Sequence, residues 1–165
     1  MSTIEIQTNL GSIKIELYAD KAPKTVANFL SYIESDFFKD TLFHRVIPNF
    51  MIQGGGFDKQ FTQKATQDAI ENEADNGLPN VVGSIAMART GDPHSATSQF
   101  FINTNDNDFL NFKSKTPQGW GYCVFGQTVA GDDVINAISA VATGTRAGHQ
   151  DVPKEEVVIE KIAVL

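Results

Sequence analysis

Thr3-Ile4-Glu5-Ile6-Gln7-Thr8-Asn9-Leu10-Gly11-Ser12-Ile13-Lys14-Ile15-Glu16-Leu17 decides the fold class. Apolar and polar residues alternate on both sides of Asn9-Leu10-Gly11-Ser12, the period of a strand with one buried face. Asn and Gly at the midpoint make the stretch a β-hairpin. Further strands are expected at 81–88, 99–103, 122–127 and 156–164, with Asp151-Val152-Pro153 marking the turn before the last.

Only two segments carry helical periodicity. Val26, Phe29, Leu30, Ile33 and Phe37 recur at helical spacing after Pro23, whose fixed φ suits a first turn. Val134, Ile135 and Ile138 follow Asp132-Asp133, which places acids at the positive end of a shorter helix. Two helices among many strands, without strict alternation, argue against a parallel sheet. The expected fold is mainly β: a closed antiparallel barrel with helices over its ends, because closure leaves no exposed edge. Residues 57–78 and 113–119 are expected as long loops of the kind that build ligand sites.

Composition narrows the function. The 165 residues include 41% hydrophobic and 20% charged, so a folded chain, most simply one domain over 1–165, is expected. Thirteen basic against 20 acidic residues give a net charge of -7, the wrong sign for binding a phosphate backbone. No apolar run approaches the ~18 residues of a membrane span. Met1 leads straight into the first strand without a signal-peptide pattern. The lone Cys123 sits in a strand-like run as a small buried hydrophobe. These features place the chain in the cytoplasm, with no nucleic acid and no membrane as partners.

Catalytic groups are sparse. His44, His94 and His149 are scattered and lack metal-ligand spacing, so no metal and no cofactor are expected. Gly54-Gly55-Gly56 lacks the Gly-Lys-Ser/Thr ending of a phosphate loop and marks a bend or a close backbone approach. Glu71 and Glu73 have the character of solvated surface charge. The informative segment is Phe43-His44-Arg45-Val46-Ile47-Pro48-Asn49-Phe50-Met51-Ile52-Gln53-Gly54-Gly55-Gly56-Phe57, two extended runs meeting at Pro48-Asn49. Alternation groups Phe43, Arg45 and Ile47 on one face, and Met51 with Gln53 on one face of the next run. A permanent cation and an amide among apolar side chains suit a ligand that has both an apolar ring and carbonyl oxygens. Residue physics alone stops at a barrel with an Arg- and Gln-edged apolar site.

That segment resembles the signature of the cyclophilin-type peptidyl-prolyl cis-trans isomerases. Gly83-Ser84-Ile85-Ala86-Met87-Ala88 and Ser95-Ala96-Thr97-Ser98-Gln99-Phe100-Phe101-Ile102 resemble further blocks of the same family. So does Ala22-Pro23-Lys24-Thr25-Val26-Ala27-Asn28-Phe29. The stretches 118–125 and 149–155 resemble its bacterial cytoplasmic members in particular. The resemblance implies an eight-stranded closed antiparallel barrel capped by two helices, acting on Xaa-Pro bonds of polypeptides as a monomer. It implies Arg45 as the catalytic residue, and Phe50, Met51, Phe101 and Leu110 as walls of a proline pocket. By the same resemblance Gln53 and Gln99 contact substrate backbone, and Ala88, Arg89 and Thr90 form a rim that pairs with the peptide. Phe109 and Tyr122 stand where many relatives have Trp and His, which implies weak binding of the family's inhibitor cyclosporin. A peptide-docking module without catalysis is the second reading, and Arg45 together with both Gln residues favours catalysis over it.

Overall fold

The alternating segment forms β1 (Ser2–Thr8) and β2 (Gly11–Leu17), paired antiparallel with Ile4 opposite Ile15 and Ile6 opposite Ile13. This is seen in a computed structural model of the chain, which describes residues 2–165. The hairpin loop is tighter than expected. Gly11 and Ser12 already belong to β2, and Thr8 Oγ1 both accepts from Leu10 N and donates to Gly11 O.

Both expected helices form. In α1 (Pro23–Glu34), Val26, Phe29 and Ile33 are buried at helical spacing. In α2 (Asp132–Ser139), Val134, Ile135 and Ile138 are buried behind two acids in the first turn. Ala22 contributes no side-chain cap to α1. Glu73 does so from a distant loop, accepting from Thr25 N and Thr25 Oγ1 at 2.7 Å each. Glu73 is therefore not the free surface charge expected of it; it satisfies a helix end that has no local cap. Its neighbour Glu71 does lie at the surface, paired with Lys24 at 3.1 Å.

The remaining strands are β3 (Thr41–Leu42), β4 (Arg45–Ile47), β5 (Met51–Gly54), β6 (Ser84–Met87), β7 (Phe100–Asn103) and β8 (Val124–Ala130). They are followed by β9 (Thr143–Arg146), β10 (His149–Pro153) and β11 (Val158–Val164). Nine of them form one antiparallel sheet in the order β3-β11-β1-β2-β8-β6-β7-β5-β4, and β9 pairs only with β10. The expectation of a closed eight-stranded barrel is corrected here: the main sheet has nine strands, curls strongly and stays open between β3 and β4. Those two edge strands are joined by Phe43-His44 alone, so the chain passes from one edge to the other without a turn that would set them side by side. Phe43 N donates instead to Val157 O at 2.9 Å, and Leu42 N to Phe57 O at 2.9 Å.

Asp151-Val152-Pro153 is likewise not a turn. It lies in β10, where Asp151 takes a positive φ of 61° inside a register shift. Curling brings Ile4, Ile6, Ile13, Ile15, Phe100 and Phe125 into one buried cluster with the apolar faces of both helices. Cys123 is buried at that cluster, and burial pushes its thiol up to about 11, consistent with an inert packing residue. No helix among the described residues is long and apolar enough to cross a membrane.

Candidate active site

Strand alternation divides the β4-β5-β7-β6-β8 half of the sheet between two apolar clusters. Val46, Ile52, Ile102, Ile85 and Phe125 point into the main core. Their sequence neighbours face away from it, and directly paired residues share that second face. Register sets Arg45 opposite Gln53, Gln53 opposite Phe101, Phe101 opposite Ala86 and Ala86 opposite Val124. Met51, Ala86, Phe101, Leu110 and Val124 form a satellite cluster, with Ile47, Phe50, Ala88 and Tyr122 packed on it. Phe43 is not on this face. The strand starts at Arg45, so the alternation does not reach back to Phe43, which is buried in the main core.

A cavity of about 120 Å³ opens on the satellite cluster. Arg45, Phe50, Met51, Gln53, Ala88, Arg89, Phe101, Leu110 and Tyr122 line it, nine of the twelve residues singled out from the sequence. Thr90 and Gln99 line an adjoining, more polar cavity of about 230 Å³ that shares Gln53, Ala88 and Arg89 with the first. Phe109 lines neither cavity. It is 64% exposed and stacks on Phe50 with ring centroids 5.7 Å apart, which puts it at the rim.

Arg45 is exposed at the lip of the apolar cavity, and its Nη1 donates to Gln53 Oε1 at 3.3 Å. Gln53 Nε2 in turn donates to Gln99 Oε1 at 3.0 Å. This relay orients both amides and leaves Gln99 Nε2 as a spare donor. Gly56 makes room for it, since a Cβ there would stand 2.5 Å from Gln99 Cγ.

The sequence reading missed the support beneath the cavity. Asn80, Asn103 and Asn107 are all buried. Asn103 Nδ2 donates to Asn80 Oδ1 at 3.0 Å and to Ser84 Oγ at 2.9 Å. Asn107 Nδ2 donates to Asn103 Oδ1 and to Phe50 O, both at 2.8 Å. Asn80 Nδ2 reaches Leu110 O at 3.2 Å and Tyr122 O at 3.3 Å. Three wall residues are thus tied to one amide network. A polar residue ending the otherwise apolar run Phe100-Phe101-Ile102-Asn103 was the available signal.

His44, next to Arg45 in sequence, is buried against Phe57 with ring centroids 4.5 Å apart. Its Nδ1 has no hydrogen-bond partner among the described residues. Burial first, then the nearby His149 and Arg45, lowers its pKa from 6.5 to about 4. The unfolded chain therefore binds a proton between about pH 6.5 and 4 that the folded chain refuses. Stability is undiminished above pH 6.5 and falls as pH drops through that window, by roughly 2–3 kcal/mol at pH 4.5. Denaturant titrations at pH 7.5 and 4.5 check this: His44→Phe should show a clearly shallower loss, and an equal loss in both proteins would remove His44 from the account.

The comparisons bear on the family and the fold. The family pattern described as "Cyclophilin type peptidyl-prolyl cis-trans isomerase/CLD" matches residues 3–164. Peptidyl-prolyl cis-trans isomerase cyp18 of Streptomyces antibioticus is 58% identical, covering 100% of this chain and 99% of its own. Peptidyl-prolyl cis-trans isomerase B of Escherichia coli (strain K12) is also 58% identical, with 98% of each chain covered. A crystal structure of a Cryptosporidium parvum cyclophilin-type isomerase, obtained in the presence of the dipeptide Ala-Pro, superimposes with a TM-score of 0.82. It is 29% identical, covering 99% of this chain and 98% of that one. The chain belongs to the cyclophilin-type peptidyl-prolyl cis-trans isomerase family. Its activity is isomerisation of peptide bonds preceding proline.

Proposed function

We propose that the Arg45 cavity is where that isomerisation takes place, and that Arg45 is its catalytic residue. The observation that carries this is a guanidinium held by Gln53 at the lip of the apolar cavity formed by Phe50, Met51, Phe101, Leu110 and Tyr122. Rotation about a peptide bond must overcome about 18–20 kcal/mol of lost amide resonance. Uncatalysed, it takes tens of seconds. No bond to carbon is made or broken, so neither a nucleophile nor a titrating base is required. The apolar walls hold the proline ring out of water. Arg45 donates toward the prolyl nitrogen as it pyramidalises, stabilising the twisted amide over both planar forms, and its charge steadies the moving carbonyl oxygen. An acceleration of roughly 10⁵ needs about 7 kcal/mol, within the range of preorganised charge together with a fitted pocket.

Substrate backbone runs along Ala88, Arg89 and Thr90. Ala88 N and Thr90 N are already donated, to Gln99 O and Ser95 Oγ at 3.0 Å each. The donors left for the peptide are therefore the Arg89 N–H and the spare amide of Gln99, with the Ala88 and Arg89 carbonyls as acceptors. In this reading residues 1–165 act as one domain, a monomer working in the cytoplasm on proline-containing polypeptides. A protease-coupled isomerisation assay on Xaa-Pro peptides tests the proposal. Faster approach to an unchanged cis/trans equilibrium supports it, and uncatalysed kinetics with folded protein overturn it.

With an always-charged Arg as the catalytic group, kcat/KM should be nearly flat between about pH 6 and 9. His44 adds no limb there, because it loses its proton near pH 4. A bell of unit slopes near neutrality would point to acid-base chemistry instead.

Phe109 bears on inhibition. Its exposed ring on Phe50 extends the cavity rim, and an indole there adds apolar area and one N–H. Cyclosporin should bind the wild type weakly, and Phe109→Trp should tighten it by about 1–2 kcal/mol, on the order of tenfold. Turnover of short Xaa-Pro peptides should change far less. Calorimetric titration of both proteins decides this, with equal affinities removing Phe109 from the binding surface.

A further inference from the structure

We propose that Arg89 forms a subsite for an anionic side chain immediately beside the proline, so that this isomerase favours acidic segments. The inference rests on the Arg45 cavity being the isomerase site. Arg89 is half-buried and lines both the apolar cavity and its polar neighbour. Its Nε and Nη2 donate to Gly121 O at 3.1 and 2.9 Å, and its Nη1 to Thr90 O at 2.9 Å. The guanidinium carbon lies 4.4 Å from the centroid of the Tyr122 ring. Gly121 holds the accepting carbonyl in place at a φ of 69°, where a Cβ would come within 2.6 Å of Leu110 O.

All of these partners are neutral. They orient the guanidinium without cancelling its charge, and two of its five N–H groups remain free. Among the described residues no carboxylate lies within ion-pair distance of Arg89 or Arg45. Glu71, which lines a small pocket with Arg89, is engaged by Lys24 at 3.1 Å. Neither cavity has an acidic residue in its lining. On a chain of net charge -7, two unpaired arginines face one acid-free groove.

Such a groove attracts anions and repels cations, and a preorganised planar fork matches a carboxylate or a phosphate better than a point charge does. Consecutive Cα atoms lie about 3.8 Å apart, so a residue beside the bound proline comes within reach of a guanidinium on the same cavity wall. The ligand chemistry is an oxyanion on the flanking side chain, a carboxylate of Asp or Glu or the phosphate of a phosphorylated Ser or Thr.

The test measures catalysed exchange by NMR, which avoids the sequence preference of a coupling protease. Peptides carry Glu, Gln, Lys or phosphoserine at the position before or after proline. At low ionic strength wild type should favour Glu over Gln by roughly three- to tenfold at one of the two flanks, with Lys below Gln. About 0.5 M salt should shrink that ratio. The Glu/Gln ratio should fall to about one in Arg89→Gln and be partly kept in Arg89→Lys, whatever either change does to the neutral peptide. Phosphoserine above Glu identifies phosphate as the better ligand, and Glu above phosphoserine identifies carboxylate. A ratio of one at both flanks in wild type, or an unaltered ratio in Arg89→Gln, overturns the subsite while turnover of the Gln peptide leaves the isomerase site standing. Absence of catalysis on every peptide overturns both.

Discussion

Arg45→Ala should lower kcat/KM for Xaa-Pro peptides by roughly 10²–10³, the scale for losing one donor aimed at a transition state. The fold should survive, because Arg45 is exposed and its one side-chain bond is to Gln53 at 3.3 Å. Surface changes of this kind usually shift stability by no more than about 0.5 kcal/mol. Arg45→Lys should rescue only part of the activity, since an ammonium keeps the charge but loses the planar fork. The loss should appear mainly in kcat: the apolar walls bind the proline ring in planar and twisted states alike, whereas Arg45 favours the twisted one. Wild-type rates in Arg45→Ala, with unchanged circular dichroism, would remove Arg45 from the mechanism. A loss carried wholly by KM would turn it into a docking residue.

Much of this architecture was legible because local pattern and tertiary need coincide. The Ile4/Ile6 and Ile13/Ile15/Leu17 alternation and the helical spacing of Val26, Phe29 and Ile33 state which face is buried. Where the pattern is silent, the reading fell short. Thr143–Arg146 has no alternation, β3 is two residues long, and an open edge is decided by where Phe43-His44 carries the chain. The site divides the same way. Arg45, Gln53 and the ring walls stand out by motif, but alternation alone grouped Phe43 with Arg45 across a strand boundary that it cannot detect. Glu73 looks like solvated charge until the fold brings it to the uncapped end of α1. Asn80 lies in no periodic segment, so no pattern marks it.

Asn80 is where that hidden layer carries the most stability. It is fully buried, and its side chain makes four hydrogen bonds, with Asn103, Asn111, Leu110 O and Tyr122 O. Asn80→Leu approximates the volume but deletes every one of them. Tyr122 O then has no donor, and Asn103 Nδ2 loses one of its two acceptors. Each buried group left unpaired costs about 1–3 kcal/mol, so the total should approach 4 kcal/mol, or roughly 10 °C in Tm for a chain of this length. Asn80→Asp keeps the acceptor for Asn103 but removes the donor to Leu110 O, Tyr122 O and Asn111 Oδ1 and buries charge, so it should be no milder. The damage should also reach turnover, since Leu110 and Tyr122 wall the cavity and Asn107 holds Phe50 O through the same network. Denaturant midpoints and kcat/KM measured on the folded fraction separate the two effects. If Asn80→Leu matches wild type in both, water satisfies these carbonyls and the network does not hold the cavity walls in place.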